Sequence, residues 1–172
     1  MTDVMTRVEA VEIVRSQRVA TLELVTALPV RARTKAGLGG GTWSAKDLLG
    51  HLESWERHAL EALDAWSRDE PAPIDRAFRT MSLHEINARE VARKASRSFD
   101  RVATGAGRTH RELLDAIAAL TDTRWERPAT SRGRAPLGRR LGQILVGSGP
   151  FGHDAAHRPS LEAFVREHGT RR

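Results

Sequence analysis

The sequence predicts an all-α protein, a four-helix bundle with long crossover connections, and three observations lead to that class. Apolar residues recur at three- and four-residue steps in four stretches, no alternating strand pattern of convincing length occurs, and Gly, Pro and Ser gather in the segments between. Nothing repeats at a solenoid period. With 172 residues, 40% of them hydrophobic, the chain is expected to form a single domain over 1–172 that needs no structural metal or disulfide.

The elements follow in order. Thr2 to Leu28 contains no Gly or Pro and reads as a long first helix ended before Pro29, with Val4, Val8, Val11, Leu22 and Val25 as its apolar residues and Arg15 and Arg18 interrupting the stripe. Arg31 to Gly41 reads as a flexible connection. Ser44 with Asp47 is a capping signal that opens the second helix, because side-chain oxygens satisfy the free amides of a first turn. Leu48, Leu52, Trp55, Ala59, Ala62 and Trp66 form its inward seam, with His51 beside that seam and Glu53, Arg57 and Glu61 pointing away. Ser67 to Arg76, acidic and proline-containing, reads as a loop.

A third helical region starts near Ser82 or Leu83, and the serines and glycines between Ala95 and Gly107 predict a break or kink. Beyond it, Phe99, Val102, Ala106, Leu113, Ile117 and Leu120 make another seam, with His110 between Ala106 and Leu113. The last region runs from Leu141 through the bend Gly147-Ser148-Gly149-Pro150 into Phe151 to His168. Pro150 is expected in the first turn of that helix, and Pro159 to kink or restart it.

Composition limits the chemistry. Without cysteine there is no disulfide, thiolate zinc site or cysteine nucleophile, so a metal would depend on His, Asp or Glu. The first residues lack the apolar core of a signal peptide, and no apolar run approaches the ~20 residues that span a bilayer, so a soluble cytoplasmic protein without membrane contact is expected. Net charge is +6, nearly all from arginine, with lysine only at 35, 46 and 94. Acidic residues are interspersed along most helices, so a solvated arginine-rich surface is favoured over nucleic-acid binding. The densest basic segment, Ser131 to Arg140, reads as a loop. A homodimer is compatible with the sequence. GLGGGT at Gly37 to Thr42 lacks the Lys-Ser/Thr ending of a phosphate loop, and no nucleophile elbow is present.

The histidines carry the remaining signal. His153 and His157 stand four residues apart, a spacing that puts both imidazoles on one helical face together with Leu161 and Phe164. If the last helix packs on the second, His51 completes a three-histidine set able to hold one divalent metal with positions open for water or substrate. Neutral imidazoles suit zinc, nickel, iron or copper. Such a metal would lower the pKa of bound water or act as a Lewis acid; without one, a histidine would serve as general base on water. Asp154 faces another side of the helix and is a poor ligand, and His58 flanks His51 as a substrate or outer contact. The other reading of the pair is a chance spacing, and that of His110 a satisfied core histidine. Trp43, Trp55 and Trp66 read as core.

These segments resemble the DinB/YfiT-like superfamily of four-helix bundles. Trp43-Ser44-Ala45-Lys46-Asp47-Leu48-Leu49-Gly50-His51-Leu52 is similar to that family's helix-two histidine pattern, and His153 and His157 to its helix-four pair. More narrowly, KDLLGHLESWER, EINA at Glu85 to Ala88, RTHRELLDAIAAL, APLGRRL and HDAAHRPSLEAFVREHG resemble, in order, the ClbS/DfsB-like branch. The resemblance implies a self-protection or detoxification protein that adds water to an electrophilic, cyclopropane-type natural product. It implies His51, His153 and His157 as catalytic and metal-binding residues, and Trp55, His58, Asn87 and His110 as substrate contacts. Sequestration of the ligand without turnover, and a thiol-dependent transferase, remain alternatives.

Overall fold

The computed structural model describes residues 5–169, and among these it is all-helical. Four long helices form the bundle: α1 (Arg7–Ala27), α2 (Ala45–Ser67), α5 (Phe99–Ala119) and α8 (His153–His168). Four short ones, α3 (Pro73–Ala77), α4 (Leu83–Ala92), α6 (Asp122–Glu126) and α7 (Leu137–Ile144), lie in the two long crossovers. The expected class therefore holds. The only β-type pairings among the described residues are the isolated bridges Pro128–Pro136 and Gly147–Gly149. No described helix is long and apolar enough to cross a membrane.

Local chemistry starts the helices. Thr6 with Glu9, Ser44 with Asp47, and Ser82 with Glu85 each form a reciprocal capping box, so two orphan donors are satisfied at every one of these starts. Thr6 thus begins the first helix later than the Gly- and Pro-free run suggests, and Val4 lies outside the described residues. Arg31 to Gly41 is not a loose connection: it forms two short 3-10 turns and buries Leu38. The expected break before α5 falls at the serines, while Gly105 and Gly107 are helical. Within the segments read as loops, α3 begins with Pro73 at its first turn, and α7 starts at Leu137 inside the basic stretch. Pro150 lies in the turn before α8, whose first helical residue is His153. α8 continues through Pro159, which is on the exposed side, so the missing amide removes no buried hydrogen bond.

Helix α2 pairs mainly with α5, and α1 with α8. Two apolar clusters result. One gathers Ala10, Val14, Trp55, Ala62, Leu113 and Ile117 with the short helices of both crossovers; the other gathers Val25, Leu28, Leu48, Leu52, Val102 and Leu161. Near the junction of the two clusters, α1, α2 and α5 bury polar residues, among them Arg18 and Thr21 on α1, Glu53 and Glu56 on α2, and Thr109 on α5. The bundle therefore has a polar waist.

Arg18 is at its centre. Its Nε donates to Asp154 Oδ2 at 2.7 Å and its Nη2 to Oδ1 at 3.2 Å, while the same guanidinium contacts Glu56 Oε1 at 3.1 Å. Glu56 also meets His110 Nδ1 at 2.6 Å. The arginine expected to interrupt the α1 stripe is thus part of the inward face, and the true seam is Ala10, Val14, Arg18, Thr21 and Val25. Val8 and Leu22 are exposed instead. Glu53, expected to point outward, is buried against Lys94 Nζ at 3.1 Å, because the link from α4 to α5 covers that side of α2.

Two stability predictions follow from this packing. Arg18→Ala leaves two buried carboxylates without a cation and is expected to cost about 3–5 kcal/mol, read as a lowered urea midpoint; an unchanged midpoint would show that the waist contributes nothing. In α7, a Cβ on Gly138 would overlap the Trp125 ring. Gly138→Ala should therefore destabilise by roughly 1–3 kcal/mol, visible as a fall in melting temperature.

Candidate active cleft and metal centre

His51 occupies the N-terminal half of α2, one turn before Trp55, and the α2 cap sets where that turn begins. His153 and His157 occupy the first two turns of α8, and the ion pair from Asp154 to Arg18 fixes the rotation of that helix. Because Asp154 is turned to α1, its neighbour His153 is turned to α2. His51 Nε2 lies 2.9 Å from His153 Nε2, and His157 Nε2 lies 3.3 Å from the same atom. The ligand atoms of all three lie within 4.8 Å of one another.

This donor set fits a metal. Bonds of ~2.0–2.1 Å separate tetrahedral ligand atoms by roughly 3.3 Å, near the spacing seen here. Burial keeps the imidazoles neutral: it pushes His51 down to about 2 and His153 down to about 4, assisted by their neighbouring histidines. His157 is lowered as well, again by burial, with Asp154 opposing the shift. Three lone-pair donors without competing protons are what a divalent cation of borderline softness requires. One feature is unlike a finished metal site: His51 Nδ1 is buried with no hydrogen-bond partner, and the Trp43 ring lies 4.8 Å from the imidazole instead of an outer-shell carboxylate.

The trio lines a cleft of about 520 Å³. Trp55 forms part of its floor, 6.1 Å from the His153 ring, and its indole Nε1 donates to Asn87 Oδ1 at 3.0 Å. Phe78, Leu83 and Val146 form an apolar rim, and they are among the few large hydrophobic side chains left exposed, at 47%, 53% and 54%. Arg140 and Asp75 also line the cleft, and pair at 2.8 Å. Of the residues expected from sequence, His51, His153, His157, Trp55 and Asn87 share this cleft. His58 and His110 do not line it. His58 lies edge-on to Trp55 at 5.4 Å and faces Glu61, and His110 is drawn into the waist by Glu56.

Sequence reasoning missed the opposite wall. Ile74 and Asp75 come from the segment read as a loop, Phe78 from the residues just beyond it, and Arg140, Gln143 and Ile144 from α7. The weak available signal was Pro73 followed by Ile74, a helix start with an apolar residue inside an otherwise polar stretch.

Acid should destabilise the fold through the trio. Unfolded histidines titrate near 6.5, whereas the folded His153 remains neutral until about 4, so between those values the unfolded chain binds more protons. Stability is then independent of this group above about pH 7 and declines as the pH falls from about 6.5 towards 4, by up to about 1.4 kcal/mol per pH unit. Urea midpoints measured across that range should show the decline, and His153→Gln should make it shallower, with His51 and His157 supplying what remains. Equal slopes in both proteins would contradict the assigned burial.

Comparison with known proteins places this architecture. An uncharacterised protein from Escherichia coli UTI89 superposes with a TM-score of 0.76 at 11% identity, covering 94% of each chain. The colibactin self-resistance protein ClbS, solved in complex with a double-stranded DNA, superposes with a TM-score of 0.70 at 11% identity, covering 94% of this chain and 96% of that one. At such identity these matches establish the fold. No curated protein matches the chain in sequence. The family model described as the DinB superfamily matches residues 13–147, which includes His51 and stops before the α8 histidines. That match spans most of the sequence, and the chain belongs to the DinB superfamily.

Proposed function

We propose that the protein is a ClbS-like self-protection protein that binds a hydrophobic electrophile in the cleft and promotes addition of water to it. The observation that carries this reading is the pairing, in one cleft, of exposed apolar side chains with three converging imidazoles. A rim of Phe78, Leu83 and Val146 left in water costs free energy that a drug-sized apolar ligand would recover. The similarity in fold to ClbS supports the same reading.

His157 serves as the proton acceptor of the trio, since Asp154 opposes the lowering that burial imposes on it, whereas burial pushes His51 down to about 2 and His153 down to about 4. Its Nε2 takes a proton from water as the oxygen bonds to the electrophilic carbon, and the proton returns to the carbon that carried the broken bond. His51 and His153 orient the water by lone pair or N–H. A zinc, nickel or iron ion held by the three Nε2 atoms would supply Lewis acidity and a more acidic water. Arginines at several sites are already paired within the chain, as in Arg7–Asp122, Arg68–Asp64 and Arg140–Asp75, which favours a small-molecule ligand over nucleic acid.

A second reading, sequestration without turnover, is favoured by the strongly lowered pKa of His51 and His153, which makes both weak bases. The two separate on a carbonyl-activated cyclopropane probe: catalysis forms many equivalents of alcohol per chain, sequestration protects one equivalent and forms none. His157→Ala and His51→Ala are each expected to lower the rate at least about 100-fold with helical circular dichroism retained. Full activity in the double variant would remove the mechanism. Zinc, nickel or iron added to metal-free protein should raise the melting temperature of the wild type and leave the double variant unchanged.

A further inference from the structure

Asn87 projects from α4 into the cleft beside Trp55. An indole N–H can only donate, so its 3.0 Å hydrogen bond to Asn87 requires the amide oxygen on the Trp55 side and turns the NH₂ group the other way. Trp55 is itself held, 7% exposed in the apolar cluster of α2, α5 and α7. Among the described residues no protein acceptor engages Asn87 Nδ2. The cleft thus contains a pre-oriented pair of neutral N–H donors whose direction is set by a neighbouring ring. Of the charged side chains that line it, Asp75 and Arg140 are paired with each other through contacts of 2.8 and 3.0 Å.

We infer that Asn87 is the specificity-determining donor of the cleft, and that its ligand is an uncharged, largely apolar electrophile whose reactive carbon is conjugated to a carbonyl accepting from Asn87 Nδ2. An ionic ligand would find the lining carboxylate and guanidinium already paired with each other, and a pure hydrocarbon would leave the amide without a partner. The inference rests on the proposed chemistry for its catalytic consequence. As water oxygen bonds to the electrophilic carbon, the electron pair of the breaking C–C or C=C bond moves toward the carbonyl oxygen. Asn87 donates to the enolate oxygen so formed. The proton lost by water goes to an imidazole and then to the α-carbon, so the net change is addition of one water molecule, with no oxidant or further reactant. Donors aimed where charge develops lower the barrier most when they need no reorientation, and Trp55 supplies that restraint.

The test uses calorimetric binding of benzylideneacetone and of its carbonyl-free counterpart, 1-phenyl-1-butene. The wild type should bind the ketone about tenfold more tightly. Asn87→Asp keeps an acceptor for Trp55 but has no N–H, and should abolish that preference while melting within a few degrees of the wild type. Trp55→Phe releases the amide to turn and should reduce the preference in part; it decides the matter if Asn87→Asp does not fold. Equal binding of the two probes by the wild type, or an undiminished preference in a folded variant, overturns the inference. Formation of the β-hydroxyketone is read separately. An Asn87-dependent preference without hydration would remove the hydrolytic reading and leave this one standing, and hydration that is indifferent to Asn87 would do the reverse.

Discussion

The buried cation at Arg18 is the constraint on which the arrangement depends. Its guanidinium bridges Glu56 of α2 and Asp154 of α8, and Glu56 in turn engages His110 of α5, so one side chain links all four long helices. A buried arginine without its acids, or either acid without the arginine, would be an uncompensated charge in a medium of low dielectric. Apolar packing tolerates small rotations of a helix, since one methyl group replaces another at little cost. Paired buried charges do not, because a displaced carboxylate loses a charge-assisted hydrogen bond and finds no water. The waist therefore sets the relative rotation of α1, α2 and α8 more sharply than the clusters above and below it.

The histidine trio inherits this rotation. Asp154 and His153 are adjacent in sequence and diverge by about 100° around the helix, so drawing one toward α1 turns the other toward α2. The same burial that gives the waist its strength depresses the imidazoles, which stay neutral and lone-pair-rich as a metal or a bound water requires. Arg18 thus contributes to the site through Asp154, without entering the cleft. The opposite wall has a different origin. It comes from α3, α4 and α7, short helices that cover the lower part of α2 and leave Phe78, Leu83 and Val146 facing the opening.

Much of the bundle was legible because its signals are local. The Ser44–Asp47 and Ser82–Glu85 boxes start helices by satisfying their own amides, and the Leu48 to Trp66 seam repeats at a helical period whatever it packs against. Arg18 escaped because a charged residue in phase with Val14, Thr21 and Val25 is ordinarily a sign that the face is exposed; its partners are 38 and 136 residues away. Glu53 escaped for the same reason, since Lys94 lies in a crossover whose path no local pattern records. His110 was expected inward, and it is half-buried, but Glu56 takes it away from the cleft.

The sequence by itself determined the helical class, the family resemblance, and the placing of His51, His153 and His157 on inward helical faces, because periodicity and capping act over a few residues. Only the tertiary structure decided that these three nitrogens converge, that Asn87 is oriented by Trp55, and that His58 and His110 stand apart from the cleft. Those outcomes depend on the rotation of whole helices about their axes. Rotation is set by long-range pairs of buried charge and by crossovers, whose energies are invisible until distant residues are brought together.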